Sequence, residues 1–276
     1  MAFADSRLLI FLVAFALIAL EAAWRYSKAD SSYDFAGAFG SFGVAFGNAI
    51  AGIISGGLLF SVYHYVQGFA IFDIDAGDWR AWAAGFVLIE FLYYWMHRFS
   101  HTVRWMWASH AVHHTANEFT LPAAVRLGWT SLISGTWLMF LPAVLIGFPP
   151  LMVVTLLAAN LKYQFLLHTE AIGRLGPMEL LFNTPSHHRV HHSSTEKSLD
   201  KNYGGVLIIF DRLFGTFVDE RDAGALRYGL TRPLVSSNPF VIALREWGFL
   251  LRDVARARSP KQFIAACFAR PEDAPR

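Results

Sequence analysis

Charged side chains are scarce in this sequence. Asp, Glu, Lys and Arg make up 16% of the 276 residues, against about 25% in ordinary soluble domains. With a mean hydropathy of +0.38, that shortage excludes an ordinary soluble domain and points to a polytopic membrane protein. The net charge is only +2. No basic stripe interleaved with stacking aromatics is present, so a nucleic-acid partner is excluded. Cysteine is nearly absent. The one thiol, Cys267, excludes an intramolecular disulfide, a CxxC redox pair and an iron–sulfur cluster held by this chain alone. No 20–50-residue repeat or low-complexity linker divides the chain, so residues 1–276 read as a single membrane-embedded domain.

Apolar residues fill the space left by charge. A helix needs about 20 of them to cross the hydrocarbon layer, and candidate spans lie at about 7–24, 42–66, 81–97, 131–147 and 150–168. The first run, "LLIFLVAFALIALEAAW", competes with a signal peptide. No small-residue cleavage site follows it, and Arg25 and Lys28 read as a cytoplasmic flank. The turn "GFPP", Gly147 to Pro150, joins the last two spans without a charge, as a hairpin dipping into the bilayer would require. Arg25, Lys28, Arg98 and Arg104 orient the chain. The N-terminus and the loop "FDIDAGDWR" then lie outside, and residues 97–126 and those after about 168 lie in the cytoplasm. The expected fold is all-α, with four to five transmembrane helices and a cytoplasmic helical cap. Residues 193–276 form an amphipathic tail region within that domain. Its stretches 203–217 and 245–258 read either as helices on the membrane surface or as the closure of the cap core.

Ten of the eleven histidines fall between positions 97 and 192. "HRFSH" gives His97 and His101. "HAVHH" gives His110, His113 and His114. "HRVHH" gives His188, His191 and His192. Spacings of i, i+3 and i+4 put side chains on one helical face, about 5–6 Å apart. His168 ends the fifth span and enters the same layer. These nine exceed the four positions of a structural zinc site and suit two metals with four or five nitrogens each. Imidazole accepts Zn, Cu, Fe and Ni, so the ligands do not name the metal. His64, near the outer end of the second span, reads as structural. His187 lies about 100° around a helix from His188 and reads as outer-shell or substrate-facing. Glu118, Asp200 and Glu170 are carboxylates near enough in sequence to take a ligand's other N–H.

Inside the third span, Glu90 lies seven residues before His97 and on nearly the same face. An intramembrane carboxylate is costly and often functional. It could bond a ligand shell, a lipid head or Tyr94, or else a neighbouring helix. Glu21, the other acid within the spans, reads as solvated at the cytoplasmic end of the first. A metal transporter would need a polar path across the bilayer, whereas these histidines sit at one side.

The order HxxxH, HxxHH, HxxHH resembles the fatty acid hydroxylase/sterol desaturase superfamily of integral-membrane di-iron enzymes, over about residues 85–235. The segments "EFLYYWMHRFSH", "ASHAVHHTANEFTLPAAVR", "QFLLHTEAIGRLGPMELLFNTPSHHRVHH" and "DKNYGGVLIIFDRLFGTF" look most like its alkylglycerol monooxygenase branch and bacterial relatives. Some relatives carry a further HxxxH before the last box; here it reads "QFLLH", with Gln164 in place of the first histidine. A water held by Gln164 or Asn160 could fill that position. The resemblance implies two irons, for which zinc can substitute during purification, and O2-dependent hydroxylation of a lipid C–H bond. The ether-adjacent carbon of an alkylglycerol is one target. A sterol, carotenoid or amino-lipid hydroxylase or desaturase is the alternative. No GxGxxG, HPGG or cysteine cluster is present, so the electrons come from a separate donor, either tetrahydrobiopterin or an electron-transfer protein. The expected location is a bacterial inner membrane, with the site facing the cytoplasm.

Overall fold

A computed structural model describes residues 2–28 and 33–273. The described residues are helical, with two isolated bridges and no strand. Helix α1 runs over Ala2–Tyr26 and α2 over Phe35–Gln67. Both are long and apolar enough to cross a membrane, and no other described helix is by length and hydropathy together. Few of their described side chains are buried, and Phe11, Phe15, Phe46, Ile53 and Ile54 are exposed. A helix in lipid gains nothing by burying such groups against protein. At about 1.5 Å per residue, the 33 residues of α2 exceed the hydrocarbon thickness. The surplus lies at the N-terminal end, which is packed into protein: Gly37, Gly40, Ser41 and Val44 are buried.

The predicted third span is one helix, α3 (Trp79–Thr102). It starts on the Asp78 cap, whose carboxylate accepts from Arg80 N, and runs past the expected end to carry both histidines of the first box. Helix α4 (Arg104–His110) follows directly, then a 3₁₀ turn at His113–Thr115 and the short α5 (Leu121–Ala124). The expected fourth span is not one helix. It breaks into α6 (Ser131–Ser134), a 3₁₀ turn at Thr136–Phe140 and α7 (Leu141–Ile146). The break is at Gly135, with φ +76°, and Pro142 restarts the helix from its first turn. The hairpin turn forms as expected. Gly147 has φ +130°, and a Cβ there would lie 2.1 Å from Phe72 O, so only glycine fits. Helix α8 (Pro150–Phe165) returns from it and ends before His168. At about 24 Å it is shorter than the hydrocarbon layer. Ile89, Leu92, Tyr93, Val144, Phe148 and Met152 form the core joining α3, α7 and α8.

The third box lies on α9 (Pro185–His191). Beyond it, of the two readings of the stretch 203–217, closure of the cap core is the one the burial favours. The stretch is a loop followed by the short α10 (Ile209–Leu213), and Tyr203, Leu207, Ile208 and Asp211 are buried. The reason is a set of polar anchors. Asp211 accepts from Tyr203 N, Gly204 N and Thr216 Oγ1, each at 2.7 Å, and burial pushes its carboxyl up to about 6. The short α11 (Glu220–Ala223) comes next. Helix α12 (Pro239–Arg256) is amphipathic, and one of its faces closes onto the protein. Ile242, Ala243, Trp247 and Leu250 face the protein, and Phe240, Val241, Leu244 and Leu251 stay exposed. Helix α13 (Pro260–Phe268) folds back so that Ala269 O accepts from Arg104 N, 3.1 Å away.

Candidate metal centre

Nine histidines from four segments converge at the base of α3. They fall into two groups. One holds His97, His101, His110, His114 and His191. The other holds His113, His168, His188 and His192. Within each group the ligand atoms lie within 4.8 Å of one another. Each HxxHH box is divided between the groups. Around a helix, i and i+4 are about 40° apart and i+3 lies on the opposite side of i by about 60°. The second box divides in that pattern, His110 and His114 to one group and His113 to the other. In the third box His188 and His192 go together, and His191 goes apart. The second box is not one α-helix, since α4 ends at His110 and His113 and His114 occupy the 3₁₀ turn. His64 is exposed on α2, away from both groups.

Backbone carbonyls decide which ring nitrogen faces inward. His97 Nδ1 donates to Tyr203 O at 2.7 Å, His168 Nδ1 to Gln164 O at 2.7 Å and His191 Nδ1 to Lys201 O at 2.9 Å. A carbonyl only accepts, so a neutral ring must carry its proton on Nδ1 and leave Nε2 as a bare lone pair. These Nε2 atoms crowd together. His97 and His110 are 3.0 Å apart, His110 and His114 3.2 Å, His113 and His168 3.1 Å, and His168 and His188 3.1 Å. The buried Nε2 atoms of His101, His191 and His192 have no hydrogen-bond partner. Bonds of about 2.1 Å at about 90° to one ion place nitrogens about 3.0 Å apart, and a tetrahedral arrangement about 3.4 Å. Inward lone pairs at that spacing, unpaired in the protein, fit a bound metal in each group. Burial lowers the basicity of His101, His110, His113, His114, His188, His191 and His192, which keeps them in the neutral form that binds metal.

A pH prediction follows. A histidine depressed in the folded state takes up more protons when unfolded, so stability falls as pH drops below about 6.5. Metal-free protein is expected to unfold more readily at pH 5.5 than at 7.5, with little change between 7.5 and 8.5. Thermal unfolding in detergent checks this, and a flat profile from 5.5 to 7.5 would contradict it.

The other predicted residues stand behind the two groups. Glu90, almost fully buried, accepts from Asn160 Nδ2 at 2.6 Å and from the backbone N–H groups of Val206 and Leu207 at 2.7 and 3.0 Å. Tyr94 is not its partner, since that hydroxyl meets Thr216 and Arg98. Gln164 Nε2 donates to Asn160 Oδ1, and Gln164 Oε1 accepts from Tyr93 OH. Gln164 and Asn160 thus spend their amides on each other and on Glu90. Space is tight here: a Cβ on Gly205 would lie 2.1 Å from Asn160 Nδ2. His187 belongs to neither group. It is buried with its ring edge-on to Phe217 at 5.2 Å, and burial pushes it down to about 4.

Of the three carboxylates considered, only Asp200 reaches a histidine, 3.5 Å from His101 Nδ1. Glu118 and Glu170 instead meet Arg25. Glu21 is not solvated. It is buried and accepts from Leu121 N and Thr169 Oγ1, which ties α1 to the cap. Sequence reasoning missed the carbonyls of Lys201 and Tyr203, and also Asn202, which bonds His187 O and Val218. The signal was the run "DKNYGG": Asp200 and Asn202 adopt φ of 59° and 57°, the left-handed region that Asp and Asn tolerate best. Arg189, between the histidine pairs, makes a two-pronged bond to Glu220 at 2.6 and 2.8 Å and reaches the carbonyls of Thr169 and Ile172. Arg189→Gln is expected to cost about 2–3 kcal/mol, because it strands the carbonyls and Glu220. A loss under about 0.5 kcal/mol in chemical unfolding would show that α9 is held by its packing instead.

The fatty acid hydroxylase family model matches residues 82–216, a range that contains all nine histidines. Over that range the chain is similar to the fatty acid hydroxylase family. It is similar to the alkylglycerol monooxygenase of Homo sapiens, 40% identical over 181 residues, 65% of this chain and 40% of that protein. The alkylglycerol monooxygenase of Danio rerio is 42% identical over 175 residues, 63% of this chain and 38% of that protein. The ornithine lipid hydroxylase OlsE of Rhizobium tropici is 31% identical over 147 residues, 53% of this chain and 44% of that protein. The chain thus spans about two fifths of the length of these relatives. No solved structure matches it significantly.

Proposed function

We propose that the protein is an O2-dependent lipid monooxygenase that inserts one oxygen atom into a C–H bond of a membrane lipid. The observation carrying this reading is the pair of buried histidine groups with inward Nε2 lone pairs, set within the range similar to the fatty acid hydroxylase family. His97, His101, His110, His114 and His191 would hold one iron, and His113, His168, His188 and His192 the other. When bound, the irons supply the oxidising power that an unactivated C–H bond requires. The overall balance takes one lipid, O2, two electrons and two protons to hydroxylated lipid and water. The electrons come from a separate donor, a reduced pterin or an electron-transfer protein. The chain itself orients the imidazoles through the carbonyls of Tyr203, Lys201 and Gln164, braces those carbonyls with Glu90, Asn160 and Asp211, and keeps water from the reacting centre by burial.

Similarity to alkylglycerol monooxygenases makes the ether-adjacent carbon of an alkylglycerol the first target to test. Similarity to the Rhizobium protein supports an amino-lipid as the second. Wild-type protein loaded with iron is expected to bind about two metals per chain. With a reductant and ¹⁸O2 it is expected to yield lipid carrying one ¹⁸O. His113→Ala and His191→Ala are each expected to lose a metal and all turnover. Full activity in a variant lacking both histidines would sink the reading. Lipid analysis of a deletion strain, searching for the precursor that accumulates, separates the substrate classes.

A further inference from the structure

A cleft of about 440 Å³ opens beside the five-histidine group. Its lining joins the buried His101, His114, His191 and His192 to Arg245, Phe249 and the half-exposed Arg252 of α12. The same three α12 residues border a second, shallow groove whose other walls are Phe240, Val241, Leu244 and Gly248. They form a ridge between an apolar surface and the histidines. Spaced i, i+4 and i+7, they share one helical face. Both guanidinium groups lie over the Phe249 ring, 5.4 and 5.1 Å from its centre.

Each arginine of the ridge has a carboxylate within ion-pair distance but none within hydrogen-bond distance, and the cleft's other acids, Asp200 and Glu272, pair with Arg270. Asp253 gives its Oδ2 to Arg104 at 2.5 Å, and its other oxygen is 3.6 Å from Arg252 Nε. Glu246 lies 3.9 Å from Arg245. Both contacts exceed hydrogen-bond length. The apolar side of the ridge continues onto the membrane-crossing helix. The α12 entry packs on the first turns of α2, where a Cβ on Gly40 would lie 2.8 Å from Ser237 O, and Phe39, Phe42 and Phe46 nearby on α2 are exposed.

We propose that Arg245, Phe249 and Arg252 hold the anionic headgroup of a membrane lipid at the mouth of this cleft. The phosphate or carboxylate sits between the two arginines, and the lipid's apolar part lies against Phe240, Val241 and Leu244. The inner part of the cleft is then open to the portion of the chain nearest the headgroup. Planar guanidinium pairs suit such an anion. This site rests on the lipid-monooxygenase reading for its purpose, but its binding step does not require turnover.

The test is titration calorimetry on the whole protein in neutral phosphatidylcholine nanodiscs, with three probes: dihexanoyl phosphatidic acid, dihexanoylglycerol and inorganic phosphate. Wild-type protein is expected to bind the phosphatidic acid at least tenfold more tightly than either other probe. Arg245→Gln/Arg252→Gln is expected to weaken that binding by about 10–100-fold, with dihexanoylglycerol unchanged. Folding of the variant is checked by its metal content. Should it unfold, the single Arg252→Gln variant, at the more exposed arginine, must still show at least a threefold loss. Equal binding by wild type and variant overturns the proposal. So does phosphate alone binding as tightly as the lipid, which would mark an ion site. Absence of ¹⁸O incorporation by wild-type protein would instead overturn the monooxygenase reading, whatever the binding result.

Discussion

Loaded with iron, the His188→Ala variant is expected to retain about one metal per chain and to have no measurable turnover, whereas His187→Ala keeps two metals and loses activity only in part. The two residues are neighbours in sequence but not in space. His188 Nε2 is 3.1 Å from His168 Nε2 inside the four-histidine group. Its removal leaves three nitrogens there. His187 belongs to neither group and stands with its ring edge-on to Phe217. Its ring packs α9 against Phe217, so its loss acts through the orientation of the ligands on the same helix. Lost outer partners of metal ligands typically cost about 10–100-fold. Metal analysis and single-turnover assays of the two variants check the contrast. Two metals in His188→Ala and one in His187→Ala would show that the box is read in the wrong register.

Glu90→Gln is expected to weaken both metal positions at once. The Glu90 carboxylate accepts three hydrogen bonds and donates none. One side leads through Asn160 and Gln164 to the helical turn whose carbonyl orients His168. The other holds the backbone at Val206 and Leu207, three and four residues beyond the Tyr203 carbonyl that orients His97. An amide in its place must point N–H groups at N–H groups, leaving buried donors unpaired. The expected result is faster metal loss to a chelator from both groups, with turnover down about 10–100-fold. Tyr93→Phe deletes only the hydroxyl bond to Gln164 and is expected to cost far less. A Glu90→Gln enzyme that holds both metals and stays within about threefold of wild type would show that Glu90 only joins helices.

Much of this was legible in the chain because it follows from local rules. Lipid-facing helices announce themselves by apolar length, and "GFPP" marks a hairpin through residues whose backbone allows little else. The histidine spacings place imidazoles side by side wherever the chain is helical. The rest was hidden where backbone angles and hydrogen-bond partners decide, because neither shows in a hydropathy pattern. The expected fourth span scored as apolar, yet Gly135 and Pro142 divide it, and hydropathy averages do not register dihedral angles. The pattern of the stretch 203–217 left a surface helix and closure of the cap core equally open. The polar residue Asp211 anchors the loop to itself and buries it. Glu21 looked solvated because its partners, Leu121 and Thr169, lie 100 and 148 residues away.

The sequence by itself determined that this chain is apolar, helical, without a redox cofactor motif of its own, and equipped with histidines in metal-binding spacing. Those properties depend on composition and on the 3.6-residue period, both of which are local. Only the tertiary structure decided how nine histidines divide into five and four. That division needs the end of α3, the bend after α4, the turn after α8 and the whole of α9 to meet at one point. It also needs carbonyls from residues 164, 201 and 203 to fix the rings. An imidazole has two nitrogens, and spacing alone does not say which one faces inward. A carbonyl brought from another segment removes that freedom by accepting the Nδ1 proton, and so aims Nε2 at the metal.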